Sequence, residues 1–518
     1  MSASHGMLRS SLALMMISVA GYVVSFLNQL CIARLFGASA VMDAYLIAIS
    51  VPSLFLTATG GLFSYYLVPI LVRQQTQPHR ISGALVRPII AATVIVPSLA
   101  WVATPVIIDA LMPTYSDEFL RDAISMSRLM WIVCGLTIMT YFLTALQHAN
   151  KRFVGPGLAS IVPYIGMVVV AVWLGPRIGP RALVWGMLAG VAVGMPVLLV
   201  GIGHELKPTA GAAYGSALVN ILRPVPLVFL SIAGLAVYGT IDAVWISRLG
   251  PEHLSHFGYA QRLLIAIGNA VLAGPAAVLV PYLAEVSVRG EPAVFRRQLL
   301  QALRLLLFCL TVVCMIIGGL ALPFIRLLFE RGHFDRAATL GVSSLMPGMA
   351  AGVALMVTVI LLFRAMYASG DVRGAVGISL VGALVYYGAS AVGSSRYGVN
   401  GVVVAYGLAW FVQLCLGMLR LWKQQRGELV AKANLFFVGQ VAAITGLGLG
   451  AVRLGKVLLV DPAIDSTPID LGFRILMVSA IGAGIFMATA NWGFRMREPA
   501  MLISMLPGVR NKKIVTPV

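Results

Sequence analysis

Charge is what this sequence has least of. Only 11% of its 518 residues are Asp, Glu, Lys or Arg, where a soluble domain holds its surface in water with about a quarter. That scarcity excludes a soluble globular chain, and a disordered one too, which needs still more charge. Acids are the scarcer sign, 18 against 37 basic residues, giving a formal net charge of +19 and a pI near 10.1. Cysteine is also sparse. Cys31, Cys134, Cys309, Cys314 and Cys415 all fall in apolar stretches, with no CxxC or Cys/His spacing, so neither a disulfide framework nor a metal site is expected. There is no P-loop, HExxH or nucleophile elbow. Connections between apolar runs stay within about twenty residues, too short for a folded domain outside them. The expectation is a protein that is not an enzyme and carries no cofactor, unless a coupling ion or the membrane potential drives it.

Apolar sequence fills the rest: 59% of residues are hydrophobic, and the mean hydropathy is +0.94. A window of about 19 residues finds about fourteen apolar segments able to cross a hydrocarbon core of roughly 30 Å. Among them are span 1 at residues 11–33, span 2 at 43–72, span 7 at 219–247 and span 8 at 257–284. Spans 11 and 12 fall at 374–393 and 399–419, and spans 13 and 14 at 434–458 and 471–494. Their runs are continuous rather than alternating, so they are helices and not barrel strands. The reading is an all-α polytopic membrane protein.

The excess of cation reads as topology rather than nucleic-acid binding. With the N-terminus in the cytoplasm, inner connections carry about 21 Lys and Arg and outer ones about 12. The deciding clusters include Arg73, Arg80 and Arg87; Arg289, Arg296 and Arg297; Arg420, Lys423, Arg426 and Lys432; and a tail with Arg510, Lys512 and Lys513. Both termini are then cytoplasmic.

Self-comparison at an offset of roughly 215 to 220 residues aligns short features in constant order. LIAI at 46–49 matches LIAI at 264–267, and LVPIL at 67–71 matches LVPYL at 279–283. The offset covers six spans, an even number, so the halves share one orientation, as in transporters that alternate access by rocking one lobe against the other. The expected organisation is a six-helix lobe at 1–208, a second at 209–425, and two more helices with a basic tail at 426–518. Spans 2 and 8 correspond to each other, and both carry helix breakers: Pro52, Gly60 and Gly61 in one, Gly274 and Pro275 in the other. Paired interruptions of this kind point to hinges near a transport site.

Polar groups within spans are costly and usually face a bundle interior. Arg262, in GYAQRLL, offers a planar fork of donors to a phosphate, or snorkels to the interface. Asp242, in GTIDAVW, either binds a driving cation or proton or pairs with an arginine across the bundle. Asp43 opens span 2 and has the same first role, or caps the helix N-terminus. Asn28 and Gln29 either contact substrate or pack helices. His333, in LFERGHFD, reads as a solvated residue of an outer connection.

Several of these stretches resemble the bacterial lipid II flippase (MurJ/MviN) family of the multidrug, oligosaccharidyl-lipid and polysaccharide exporter superfamily. CIARLFGASAVMDAYLIA is similar to its first outer connection, GLFSYYLVPIL to its Phe-Ser-x-x-aromatic-aliphatic-Pro stretch, and GYAQRLL to its Tyr-Ala-x-Arg-Leu motif. LFERGHFDRAAT resembles its Leu-Phe-x-x-Gly-x-Phe signature, and RAMYASGDVR its Phe-Tyr-Ala-x-x-Asp turn. The resemblance covers spans 1 to 12. It implies fourteen helices and transfer of undecaprenyl-diphosphate-linked glycans from the cytoplasmic to the periplasmic leaflet of the inner membrane. Membrane lipids, and glycan-assembly proteins, are the further partners. By this resemblance Arg262 would contact the diphosphate, and Asp43 and Arg34 would act at the outer gate; Gln261 and Asn28 are the further substrate-binding candidates, and Asp242 a further gating or cation-coupling one. Where the family carries two arginines in span 1 and one in span 2, this chain has Tyr22, Asn28 and Leu56, and Gln261 replaces an acid. The cargo expected is therefore lipid II or an exopolysaccharide repeat unit, with cation-coupled export of small amphipathic molecules, or a scaffold role, as alternatives.

Overall fold

A computed structural model describes residues 2–73, 78–111, 116–150, 152–200, 221–424, 432–461 and 467–494, with isolated positions between and after them. Lys151, Arg426, Asp465 and the basic tail with Arg510, Lys512 and Lys513 lie outside the described residues. Within them the chain is helical and contains no strand. The helices are α1 (Ser2–Phe36), α2 (Ala40–Gly61), α3 (Val68–Arg73), α4 (Pro78–Leu111), α5 (Asp117–Ala149), α6 (Val154–Ile178) and α7 (Arg181–Leu199). They continue with α8 (Val225–Ala236), α9 (Tyr238–Ile246), α10 (His253–Val288), α11 (Pro292–Phe329), α12 (Arg336–Ala368), α13 (Val372–Gln424), α14 (Lys432–Gly455) and α15 (Pro468–Ala488).

Ten of the described helical stretches are long and apolar enough to cross a membrane, or eleven if α8 and α9, bent by 44°, form one span. The sequence leads one to expect fourteen. Part of the difference lies in α13, where Gly398 has φ 59 and ψ −141. The backbones of Gly393 and Gly401 meet so closely that neither position has room for a Cβ. Residues eight apart in a straight helix are separated by about 12 Å, so the chain reverses at Gly398. Spans 11 and 12 are thus the two arms of α13. In α4, by contrast, Pro88, Pro97 and Pro105 all sit inside one helix. A membrane helix tolerates them because neighbours re-satisfy the freed carbonyls.

The chain forms two compact units. The first comprises residues 1–258, 331–338 and 379–402, the second residues 259–330, 339–378 and 403–518. A core of the first is built on Phe63, Leu67, Leu71, Leu85, Phe142 and Leu146. In the second, Phe308, Met315, Ile444, Val452, Ile475 and Phe486 pack together from α11, α14 and α15.

Candidate functional site

Asp43 lies in the first turn of α2 and is fully buried. Its own helix does not need it as a cap, because Ser39 fills that place and its hydroxyl accepts from the Met42 N–H at 3.4 Å. The carboxylate instead turns to the start of α10, where Oδ1 accepts from the Ser255 N–H at 2.6 Å. An acid side chain is therefore placed at a helix N-terminus, 212 residues along the chain from its own position. Oδ2 has no partner among the described residues. The turn before α10 holds Glu252 at φ 73, the one non-glycine with positive φ among the described residues. Such strain persists only where the surroundings enforce it.

The two motif loops meet beside this cap. Gly37 ends α1 with φ 62, and its N–H donates to the Ala33 carbonyl at 2.9 Å. Gly332 has φ 64, and the following His333 N–H donates to the Arg34 carbonyl at 3.0 Å. A Cβ on Gly37 would strike the His333 carbonyl, and one on Gly332 the Arg34 carbonyl. The Arg-Leu-Phe-Gly run and the Arg-Gly-His-Phe run are thus two halves of one backbone clasp. Arg34 contributes to it through its carbonyl, while its side chain is exposed, as is that of His333.

Asp242 is buried in α9 and accepts a hydrogen bond from the hydroxyl of Tyr386. Tyr386 is itself fully buried and stacks on Tyr238, with centroids 4.6 Å apart and planes 14° from parallel. One partner is thus a tyrosine, which the sequence reading did not name. Both tyrosines were missed, because a tyrosine in an apolar run reads equally as interfacial packing; YYG within span 11 was the available signal. Removing the hydroxyl in Tyr386→Phe takes a donor from a buried carboxylate, and a destabilisation of about 1 to 3 kcal/mol is expected. Thermal unfolding in detergent checks this, and an unchanged midpoint would show that the bond contributes nothing.

Asn28 is buried, its amide nitrogen 4.0 Å from Met167 Sδ on α6, and its Oδ1 has no partner among the described residues. Gln261 and Arg262 are half-buried on α10, and Arg262 has no hydrogen-bond or ion-pair partner among the described residues. Pro52 is buried within α2 without breaking it. Gly60 and Gly61 abut Tyr141 and Ile232, and directly after them the helix changes type, Leu62–Leu67 being π-helical. Its counterpart differs: α10 runs as one helix across Gly274 and Pro275.

The family model described as lipid II flippase MurJ matches residues 32–460. Lipid II flippase MurJ of Burkholderia cenocepacia is 25% identical over 377 residues, covering 69% of this chain and 72% of the relative. A probable lipid II flippase MurJ of Synechocystis is 22% identical over 495 residues, covering 89% and 91%. Among solved structures, a lipid II flippase MurJ in an inward closed conformation superposes with a TM-score of 0.76 at 16% identity, covering 93% of this chain and 99% of that one. An inward-facing multidrug resistance transporter of the MATE family, in the MOP superfamily, gives 0.64 at 13% identity over 79% of this chain and 96% of its own.

Proposed function

The chain belongs to the lipid II flippase MurJ family, and from that membership we propose how it works. It is a multi-pass inner-membrane transporter, not an enzyme, and it flips a lipid-linked glycan precursor by alternating access. The observation that carries this is the family match over residues 32–460, which takes in both motif loops and the α10 start that Asp43 caps. The cargo is a polyprenyl-diphosphate-linked glycan, either lipid II or an exopolysaccharide repeat unit, moved from the cytoplasmic to the periplasmic leaflet. Both termini are cytoplasmic, and lobes at 1–208 and 209–425 rock against each other.

In this reading Arg262 takes the diphosphate, helped by Gln261 and Asn28. Its support is an arginine held half-buried in an apolar helix without a protein partner among the described residues, which is costly unless an anion visits it. Asp43 and Arg34 gate the end at which the clasp closes, and Asp242 couples or braces. Pro52, Gly60 and Gly61, with Gly274 and Pro275, absorb the bending.

The test is leaflet-resolved accessibility of undecaprenyl-diphosphate glycans in cells depleted of the protein. Wild type is expected to restore periplasmic exposure. Arg262→Ala is expected to lower the apparent affinity for cargo roughly tenfold to a hundredfold, the worth of one charge-assisted contact. Equal rescue by both removes Arg262 from the site, and no loss on depletion overturns the flippase reading.

A further inference from the structure

The first unit has a half-open pocket of about 270 Å³ between α2, its π-helical continuation, α4, α5 and α8. Its walls are aromatic and aliphatic, with Phe55, Phe63, Tyr66 and Phe229 among them, and no charged side chain lines it. Two hydroxyls do. That of Tyr66 is engaged, donating to the Ile221 carbonyl at 2.8 Å. That of Thr59 is not: the residue is 5% exposed, and its oxygen has no partner among the described residues.

The exception is informative. Thr57, Thr93, Thr104 and Thr137 each donate to the carbonyl four residues earlier, the usual resource of a threonine in an apolar helix. Thr59 leaves that bond unmade beside an apolar space, although a buried hydroxyl without a partner is unfavourable. A guest that brings an acceptor removes the penalty.

We propose that this pocket is a binding site for a small neutral aromatic compound whose single carbonyl accepts a hydrogen bond from Thr59. Size sets two rings, since an apolar cavity of about 150 Å³ already holds benzene. Neutrality follows from walls that offer a charge no partner. Aromatic character follows from the ring-lined sides, where Phe55 and Phe229 already stand 5.8 Å apart in a tilted pair. Leu62, Phe63, Tyr66 and Leu67 of the π-helical turn form part of the wall, so a guest here bears on the segment where α2 changes its winding.

Benzophenone is a fitting probe, being neutral, two-ringed, a single ketone and photoreactive. Irradiated with the purified full-length protein in phosphatidylcholine nanodiscs, it is expected to insert saturably into residues 55–67, 85–96 and 221–229. Thr59→Val keeps the shape but removes the donor, and is expected to raise the half-saturating concentration about fivefold, the worth of one hydrogen bond. Ala92→Trp fills the pocket and is expected to abolish the insertion. Labelling that does not saturate, that maps elsewhere, or that keeps its concentration dependence in Thr59→Val overturns the proposal, even if Ala92→Trp fails to fold. The labelling requires no glycan cargo, so its failure and a failure of the flippase reading are separately visible.

Discussion

An Asp43→Ala chain is expected to lose transport and about 2 to 3 kcal/mol of stability together, because one carboxylate makes both the charge and the acceptor at the start of α10. A hydrogen bond to a charged group contributes about 1.5 to 3 kcal/mol, more than a neutral one. An anion at a helix N-terminus adds about 0.3 to 1 kcal/mol, and up to ~2 where it is partly buried. Asp43→Asn separates the parts: it can still accept from the Ser255 N–H but carries no charge, so a loss of about 1 kcal/mol and partial transport are expected. Thermal unfolding and leaflet-resolved glycan exposure, measured on the same variants, report the two quantities. Wild-type values for Asp43→Ala in both would show that the cap neither holds nor gates this end of the molecule.

The second large effect concerns the clasp. Gly332→Ala and Gly37→Ala are each expected to destabilise by roughly 3 to 5 kcal/mol, enough to deplete the folded protein from the membrane. Left-handed backbone costs a non-glycine residue about 1 to 3 kcal/mol, and a Cβ driven into a carbonyl adds an overpacking cost of about 1 to 3 kcal/mol. Gly290 and Gly370 provide the control, with φ 70 and 82 but nothing within 4 Å of a Cβ. Alanine there meets only the backbone cost, about 1 kcal/mol. Membrane-inserted protein, quantified for all four variants, distinguishes collision from backbone strain. If the four behave alike, the contact between the two loops is not what makes glycine necessary.

What the sequence made legible follows from what is local. Helices and the family's motifs are written in runs of neighbouring residues, and the all-helical class and the family read correctly. Asp43 was identifiable as an acid at a helix start. Its partner was not, because Ser255 offers a backbone N–H, which every residue but proline possesses and no side chain announces. The clasp shows the same limit: Gly37 and Gly332 each look like ordinary turn glycines, and only their meeting explains why both loops carry one. Tyr386 escaped for a different reason, since a tyrosine in an apolar stretch satisfies packing and hydrogen bonding alike. Pro275 makes a further point about local signals. Proline frees a carbonyl but does not oblige a membrane helix to break, and α10 continues through it.

The π-helical turn of α2 also settles a matter of phase. Thr59, Phe63, Leu67 and Leu71 are all buried, and they follow one another at intervals of four. In a plain α-helix each interval of four overshoots a full revolution by about 40°, so three intervals would carry the stripe about 120° around the axis. Leu71 would then look away from the side that Thr59 faces. Leu62–Leu67 closes its bonds over five residues instead of four, and that one surplus residue gives back about 100°. The four side chains therefore stay in line down a single flank. Deleting one residue from this turn would change no composition worth noticing, yet it would revolve the end of the helix beyond it and turn the buried Leu71 away from the core, towards the side where Pro69 and Val72 are now exposed.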